Sequence, residues 1–202
     1  MTTIPVSSLW TQTTSSLHQQ LEFKDFAEAW AYMNAVASEA EIQDHHPNWS
    51  NVWNQVTIDL TSHDKGNTVT DRDRLLAAAA DQALRRVLKP RATICAHIFT
   101  EYLVTGRFAD AHAMFDPNVA MTEAELRQHF RRMDDASDPF FEWAVDDEFL
   151  ITEWPDRTDL DVLRAYCSVS GRSLVEAVAI RVAIQPGVPK HLAVSGIEFG
   201  RP

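Results

Sequence analysis

The sequence predicts an α+β protein of two domains, residues 1–88 and 89–202. Three observations support this fold class. In the first domain, stretches with the period of a strand alternate with two amphipathic helical stretches. In the second domain, helical patterns come first and four strand-like stretches follow. The chain of 202 residues, with 45% hydrophobic side chains, is also large enough to bury a core in each domain.

The first domain is expected to be an antiparallel sheet with two helices on one face. Apolar side chains of one parity predict a strand over residues 17–23. Asp25, followed three residues later by Glu28, predicts the start of the first helix. The buried stripe of this helix is expected to consist of Phe26, Trp30, Met33, Ala37 and Ala40.

The first helix is expected to end near Asp44, because the proline of the His-His-Pro sequence disfavours helical backbone at the residue before it. Residues 52–61 alternate as one strand, and continued alternation places His63 on the polar face of that strand. A glycine-containing turn then leads to the second helix. Thr70 is the expected N-cap of that helix and Asp73 its third residue.

The second domain is expected to begin near residues 85–91, where Pro90 suits either the first turn of a new helix or a kink in one long helix. Helical patterns follow over residues 94–104 and 108–115, and a capping pattern at Thr122 indicates one more helix. Strands are predicted over residues 140–153, 159–170, 173–185 and 191–199. This order of elements resembles the nuclear-transport-factor-two-like (SnoaL-like) superfamily, which implies a cone-shaped α+β domain with a four-stranded antiparallel sheet.

Charge, hydropathy and cysteine content disfavour a nucleic-acid-binding, a membrane or a disulfide-rich protein. The net charge of −11 and the isoelectric point near 5.1 disfavour direct binding to nucleic acid or to an anionic membrane. No apolar run is long enough to span a bilayer, and the N-terminal residues lack a signal-peptide pattern. Cys95 and Cys167 are too few for a disulfide framework. We therefore expect a cytoplasmic protein.

Three histidines lie within residues 41–73, namely His45, His46 and His63. Imidazoles accept and donate protons near neutral pH, so together with nearby carboxylates they favour acid–base chemistry. Other interpretations remain open, including a purely structural role or a zinc site made of the three histidines. Asp73 also suits ordinary helix capping, and Glu41 suits a solvated helix end.

One combined pattern runs through this stretch and consists of Glu41, His45-His46-Pro47, Trp53, Thr61-Ser62-His63 and Asp73. It closely resembles the signature of the pterin-4a-carbinolamine dehydratase family, and the resemblance covers about residues 9–88. The resemblance implies dehydration of 4a-hydroxytetrahydropterin to quinonoid dihydropterin during pterin recycling. The enzyme would be a 4a-hydroxytetrahydrobiopterin dehydratase, a hydro-lyase that needs no metal and no cofactor because the pterin is the substrate.

By this resemblance, His45 and His63 are expected to serve as general acid and general base at the 4a-hydroxyl group. Either histidine could be the acid, with the other as the base. His46 is expected mainly to hold the substrate, and Asp73 to orient an imidazole. The residues expected to contact the substrate are Glu41, Asp44, Thr61 and Ser62.

The resemblance also implies a homo-oligomer and a possible link to an aromatic amino acid hydroxylase system. The alternative is a non-catalytic dehydratase-like dimerisation or assembly scaffold, or a protein that binds another pterin-like ligand. The second domain shows no catalytic motif, so we expect it to assemble subunits or to bind a small ligand. Candidate cavity groups there are Tyr102, Trp143 and Asp147, while core or surface roles are expected for His97, His112 and His129.

Overall fold

The computed structural model describes residues 4–133, 142–151, 154, 156–170 and 175–199. The chain divides into two compact units. Unit 1 comprises Met1–Leu88 together with Ile184–His191, and unit 2 comprises Lys89–Ala183 together with Leu192–Pro202. Within the described residues, no helix combines the length and the hydropathy needed to cross a membrane.

Unit 1 is built on a four-stranded sheet in the order β1-β2-β4-β3, whose neighbouring strands are all antiparallel. Its elements are β1 Thr11–Gln12, β2 Leu17–Glu22, α1 Phe26–Gln43, β3 Asn48–Val52, β4 Gln55–Leu60 and a 3₁₀ helix His63–Lys65. The helix α2 Asp71–Val104 begins in unit 1 and continues past Leu88. The predicted α+β class and the antiparallel sheet are confirmed. The predicted alternation in β4 is also confirmed, since Val56, Ile58 and Leu60 are all buried.

Helix α1 begins as predicted, because the Asp25 carboxylate accepts a hydrogen bond from the Glu28 backbone N–H at 2.9 Å. The predicted buried stripe is wrong at its two aromatic residues, whereas Met33 and Ala40 are buried as predicted. Phe26 and Trp30 are 48% and 51% exposed, and their rings stack on each other outside the core. The helix turns a neighbouring stripe towards the core, formed by Ala29, Tyr32, Met33, Val36 and Ala40.

The orientation of α1 follows from one polar contact and one aromatic contact. The Tyr32 hydroxyl donates to the side-chain oxygen of Gln19 at 2.7 Å, and the ring of Tyr32 packs 5.2 Å from that of Phe23. Tyr32 lies in the buried stripe between Ala29 and Val36, whereas the indole of Trp30 lies outside that stripe and is half exposed.

The single strand predicted over residues 52–61 is in fact a hairpin. Val52 ends β3 and pairs with Gln55 at the start of β4. Trp53 occupies the turn with φ of 53°, and it is 67% exposed rather than part of the core. Asn54 holds the turn in place, since its side chain donates to the Phe23 carbonyl at 2.6 Å and its own carbonyl accepts from the Phe23 N–H.

Helix α2 is continuous from Asp71 to Val104 and contains Pro90. The interpretation as one long helix is therefore the one observed, and a new helix beginning at Pro90 is wrong. Proline lacks a backbone N–H, so the helix lacks the hydrogen bond that this residue would donate to the Arg86 carbonyl.

Unit 2 places helices before a sheet, as predicted. The elements that follow α2 in the chain are α3 Phe108–His112, α4 Glu123–Met133, β5 Glu142–Ile151, β6 Asp161–Ser170, β7 Val175–Gln185 and β8 Val188–Phe199. The four strands lie in the order β5-β6-β7-β8, and the end of β7 and the start of β8 belong to the segment Ile184–His191 of unit 1. The capping pattern at Thr122 is confirmed, since its N–H donates to the Glu125 carboxylate at 2.8 Å. The first two residues of the strand predicted over residues 173–185 lie outside the described residues. The resemblance to the nuclear-transport-factor-two-like superfamily stays a prediction.

Candidate active site

The end of α1 places two adjacent histidines in different environments. Asp44 ends the helix in the left-handed conformation, with φ of 47°, and the His45 N–H returns to the Ala40 carbonyl at 3.1 Å. This reversal turns the His45 side chain inward, where it is 6% exposed. The next side chain, His46, is 59% exposed. The helix ends at Asp44, as predicted from Pro47, and the reversal there leaves one imidazole buried and the next exposed.

Asp73 lies in the first turn of α2 and is fully buried. One carboxylate oxygen accepts from His45 Nε2 at 2.8 Å. The other accepts from the Ser62 hydroxyl at 2.8 Å and from the N–H and hydroxyl of Thr70 at 2.7 and 3.0 Å. The position of Thr70 as N-cap and of Asp73 as third helical residue is as predicted.

The hydrogen bonds decide the protonation state of Asp73. Burial by itself raises the pKa of this carboxyl, but the Thr70 N–H and the side chains of His45, Ser62 and Thr70 together lower the pKa below its ordinary value. The ionised carboxylate can only accept hydrogen bonds, so the facing Nε2 of His45 carries a proton. The neutral imidazole then keeps an acceptor lone pair on Nδ1.

His63 does not continue the alternation of β4, because the strand ends at Leu60 and His63 begins a 3₁₀ helix. Its Nδ1 lies 2.8 Å from the side-chain oxygen of Asn67, which accepts the proton of that nitrogen. In the neutral ring Nε2 is then the free acceptor. The loop between them turns at Gly66 and Asn67, which both have positive φ, as the glycine-containing turn predicted.

An open pocket of about 410 Å³ lies beside these groups in unit 1. Its wall consists of Asp44, His45, His46, Thr61, Ser62, His63, Asp64 and Arg72. The structure thus brings the three predicted histidines to one pocket, although His45 and His63 are distant in sequence. Asp73 supports this wall through its hydrogen bonds to His45 and Ser62.

The other predicted site residues differ in how their side chains are used. Glu41 is outside the set of residues that line the pocket, and its carboxylate instead accepts from His46 Nε2 at 2.9 Å. The Thr61 hydroxyl donates to the Ser15 carbonyl at 2.7 Å, and the Ser62 hydroxyl is bonded to Asp73. Thr61 and Ser62 therefore offer the pocket mainly their backbone.

Sequence reasoning missed three residues of the site. Arg72 and Asp64 line the pocket, and Asn67 holds His63. Among the described residues that line the pocket, Arg72 is the only lysine or arginine. Its position directly before Asp73, in the first turn of a helix expected to face the histidines, could have indicated it. Asn67 could have been found as the residue that suits a positive φ in the turn.

Among the described residues, the pocket included, no group of three or more His, Cys, Asp and Glu side chains is placed to hold a metal ion, so His45, His46 and His63 do not form the zinc site that was left open. Tyr102 of unit 2 packs under the Arg107 guanidinium, with 4.2 Å from the charge centre to the ring centroid. The side chains of Trp143 and Asp147 lie outside the described part. The histidines of unit 2 lie in helices as predicted, where His112 contacts the Met121 carbonyl and His129 stacks on Phe199.

Comparison with known proteins finds a family similarity within residues 3–83. Residues 3–83 match the profile of the family described as Pterin 4 alpha carbinolamine dehydratase. A protein of Solibacter usitatus named "Putative pterin-4-alpha-carbinolamine dehydratase" is 46% identical over 74 residues, which are 37% of this chain and 77% of that protein. A protein of the same name from Synechococcus sp. (strain WH7803) is 49% identical over 72 residues, which are 36% of this chain and 76% of that protein.

A solved structure is also similar, the transcriptional coactivator/pterin dehydratase from Brucella melitensis. It is 31% identical, with 39% of this chain and 84% of that chain covered and a TM-score of 0.37. The family match contains every residue of the predicted site, and residues 84–202 lie outside it. Through residues 3–83 the chain belongs to the pterin-4-alpha-carbinolamine dehydratase family.

Proposed function

We propose that the pocket of unit 1 dehydrates a 4a-hydroxytetrahydropterin, the carbinolamine, to a quinonoid dihydropterin. The protein would then act as a 4a-hydroxytetrahydrobiopterin dehydratase in pterin recycling. The observation that carries this proposal is the buried pair of His45 and Asp73 at the wall of a pocket that His46 and His63 also line. Membership of the dehydratase family supports the choice of substrate.

The reaction needs only proton transfers. The bond between carbon 4a and its hydroxyl oxygen breaks, and the oxygen leaves as water after it accepts one proton. The lone pair of the neighbouring ring nitrogen forms the new double bond to carbon 4a, and that nitrogen loses its proton. One water is lost and no electrons are exchanged, so one general acid and one general base complete the balance.

His45 and His63 are the proposed acid and base. The Asp73 carboxylate holds the ring of His45 in one orientation and stabilises a positive charge on it, while Asn67 orients the ring of His63. An acid and a base on separate segments can approach the leaving hydroxyl and the ring nitrogen from different sides. Positioned groups of this kind each contribute about 10²–10⁴-fold to the rate.

His46 is proposed to hold the pterin rather than to transfer a proton, because it is exposed and is paired with an exposed carboxylate, that of Glu41. Asp44 and the backbone of Thr61 and Ser62 offer further polar contacts to the flat ring. The cytoplasmic location, the homo-oligomer, the link to a hydroxylase system and the absence of a cofactor belong to the same proposal.

Stopped-flow absorbance of 4a-hydroxytetrahydropterin breakdown tests the proposal. We expect wild-type protein to accelerate water loss, and His45→Ala and His63→Ala each to reduce turnover by about 10²–10⁴-fold. His18→Ala is the matched control, because His18 is a half-exposed histidine of unit 1 that pairs with Asp59 away from the pocket.

Failure of wild-type protein to accelerate breakdown would favour the alternative of a non-catalytic scaffold or a site for another pterin-like ligand. Full turnover by His63→Ala, with wild type active, would instead contradict the assigned acid–base pair. The two failures are therefore distinguishable in one series of measurements.

A further inference from the structure

We infer that Arg72 is a positioning residue of this site, which sets the spacing between the segment that carries His45 and His46 and the segment that carries His63. This inference rests on the proposed function for its kinetic consequence. The arrangement of the two segments can also be measured in the protein without any substrate.

The guanidinium of Arg72 reaches both segments. Its Nη2 donates to the backbone carbonyl of Asp44 at 2.6 Å. Its Nη1 lies 3.7 Å from a carboxylate oxygen of Asp64. Asp44 is the residue directly before His45, and Asp64 is the residue directly after His63. One side chain therefore connects the immediate neighbours of the two proposed proton-transferring histidines.

The contact with Asp44 suits the chemistry of a helix end. The last carbonyls of α1 lack intrahelical partners and carry the negative end of the helix dipole, so a cation is favourable there. Asp44 also has the left-handed conformation that reverses the chain. A hydrogen bond to its carbonyl limits rotation of the peptide that leads into His45, and so restrains the direction in which that imidazole leaves the backbone.

Two consecutive residues of α2 hold this helix end. Arg72 binds the backbone of Asp44, while Asp73 binds the ring of His45. The ring and the backbone of the same segment are thus fixed from one turn of α2. The third contact, from Arg72 to Asp64, extends the same support to the 3₁₀ helix that begins with His63.

The geometry favours positioning over stabilisation of the fold. The Arg72 and Asp64 side chains are 48% and 56% exposed, and a solvent-exposed ion pair at 3.7 Å adds little to stability. Lysine at position 72 would keep the positive charge but lose the planar guanidinium, whose two terminal nitrogens reach two acceptors at once. Loss of the Arg72 guanidinium should therefore affect the alignment of the histidines more than the stability of the fold.

The test uses Arg72→Ala and Arg72→Lys in the full chain, with Arg86→Ala as control. Arg86 also lies in α2 and pairs with Glu39 of α1 at 3.0 Å, yet it does not line the pocket. We expect Arg72→Ala to lower kcat by about 10–100-fold, as a small misplacement of reacting groups does, and KM to change less. Arg72→Lys should recover only part of the loss, and Arg86→Ala should match wild type.

Chemical rescue and NMR distinguish a positioning role of Arg72 from a general contribution to folding. Low millimolar guanidinium chloride should restore turnover of Arg72→Ala, whereas sodium chloride at equal concentration should not. The ring-proton signals of both His45 and His63 should shift in Arg72→Ala and remain in place in Arg86→Ala, with assignments from the single histidine variants.

The outcomes separate the inference from the function on which it rests. An inactive wild-type protein whose His45 and His63 signals both shift in Arg72→Ala overturns the function and supports the positioning role. Unchanged signals overturn the positioning role whether or not the wild type is active. Arg72→Ala with wild-type kcat in an active enzyme overturns it as well.

Discussion

The imidazole of His45 and the carboxylate of Asp73 are joined at 2.8 Å although they are separated by 28 positions in sequence, and both side chains are buried. The pair links the end of α1 to the first turn of α2. It gives His45 one tautomer and one orientation, because the ionised carboxylate only accepts. An exposed histidine on a loop would have neither. The consequences for stability and turnover can be measured separately.

Asp73→Asn is expected to weaken the fold and to remove part of its pH dependence. The pKa of Asp73 is lower in the folded chain than its ordinary value, so its stabilisation is present above about pH 4 and is lost as pH falls towards the folded pKa. Replacement of a buried charged acceptor should cost about 2–3 kcal/mol near pH 7. Urea unfolding across the acidic range measures both effects.

Asp71→Asn is the control, because Asp71 lies in the same first turn of α2 and is exposed. Equal acid sensitivity of wild type and Asp73→Asn would contradict the role of this carboxylate in stability.

His46→Ala should mainly weaken substrate binding. His46 is exposed and its partner Glu41 is 79% exposed, so neither group is held in a dry environment. We expect KM to rise about 2–10-fold, the equivalent of one ordinary hydrogen bond, while kcat changes little. Glu41→Gln should have a smaller effect in the same direction. A fall in kcat as large as that of His45→Ala would assign His46 a proton-transfer role instead.

Asn67→Gly should lower turnover while it leaves the loop intact. Asn67 has φ of 59°, a conformation that glycine adopts without strain, so the substitution removes the hydrogen bond to His63 and little else. Loss of one orienting hydrogen bond corresponds to about a 2–10-fold decrease in kcat. Asn67→Ala adds backbone strain, and its larger loss of thermal stability would serve as comparison. Unchanged kcat in Asn67→Gly would show that His63 needs no orienting partner.

A double-mutant cycle should reveal the polar contact inside the unit 1 core. The side-chain oxygen of Gln19 accepts from the Tyr32 hydroxyl, while its buried Nε2 has no partner in the described part of the chain. Tyr32→Phe should destabilise the protein by about 1–3 kcal/mol, because it leaves a second atom of Gln19 unsatisfied. The double variant Tyr32→Phe/Gln19→Leu should be close to wild type. Strictly additive single effects in urea unfolding would contradict the coupling.

The same tyrosine should control alkaline stability. Burial, and then the negative charge of Asp81, raise the pKa of Tyr32 well above its ordinary value. The stabilisation from its neutral form is therefore complete below about pH 10 and is lost as pH rises above it. Tyr32→Phe should flatten this loss in unfolding experiments between neutral and alkaline pH, whereas Tyr102→Phe should retain the wild-type slope. An identical alkaline slope in Tyr32→Phe would refute the assignment.

The sequence by itself determined the features that depend on neighbouring residues. The capped start of α1 at Asp25, its end at Asp44, the N-cap at Thr70 and the buried face of β4 were all predictable. Each follows from backbone preferences or from a short period of apolar side chains, which act within a few residues. The histidine pattern likewise indicated side chains that the folded chain brings to one pocket.

Tertiary structure decided the features for which the local sequence allows more than one conformation or packing. Two adjacent stripes of α1 are apolar, and the packed structure buries the one that contains Tyr32, which leaves Trp30 outside. The turn at Trp53 converts one alternating run into a hairpin. The hydrogen bonds of Asp73 to His45 and of Arg72 to Asp44 exist only because α1 and α2 meet at their ends. Contacts between segments distant in sequence have no local periodicity, so only the folded chain defines them.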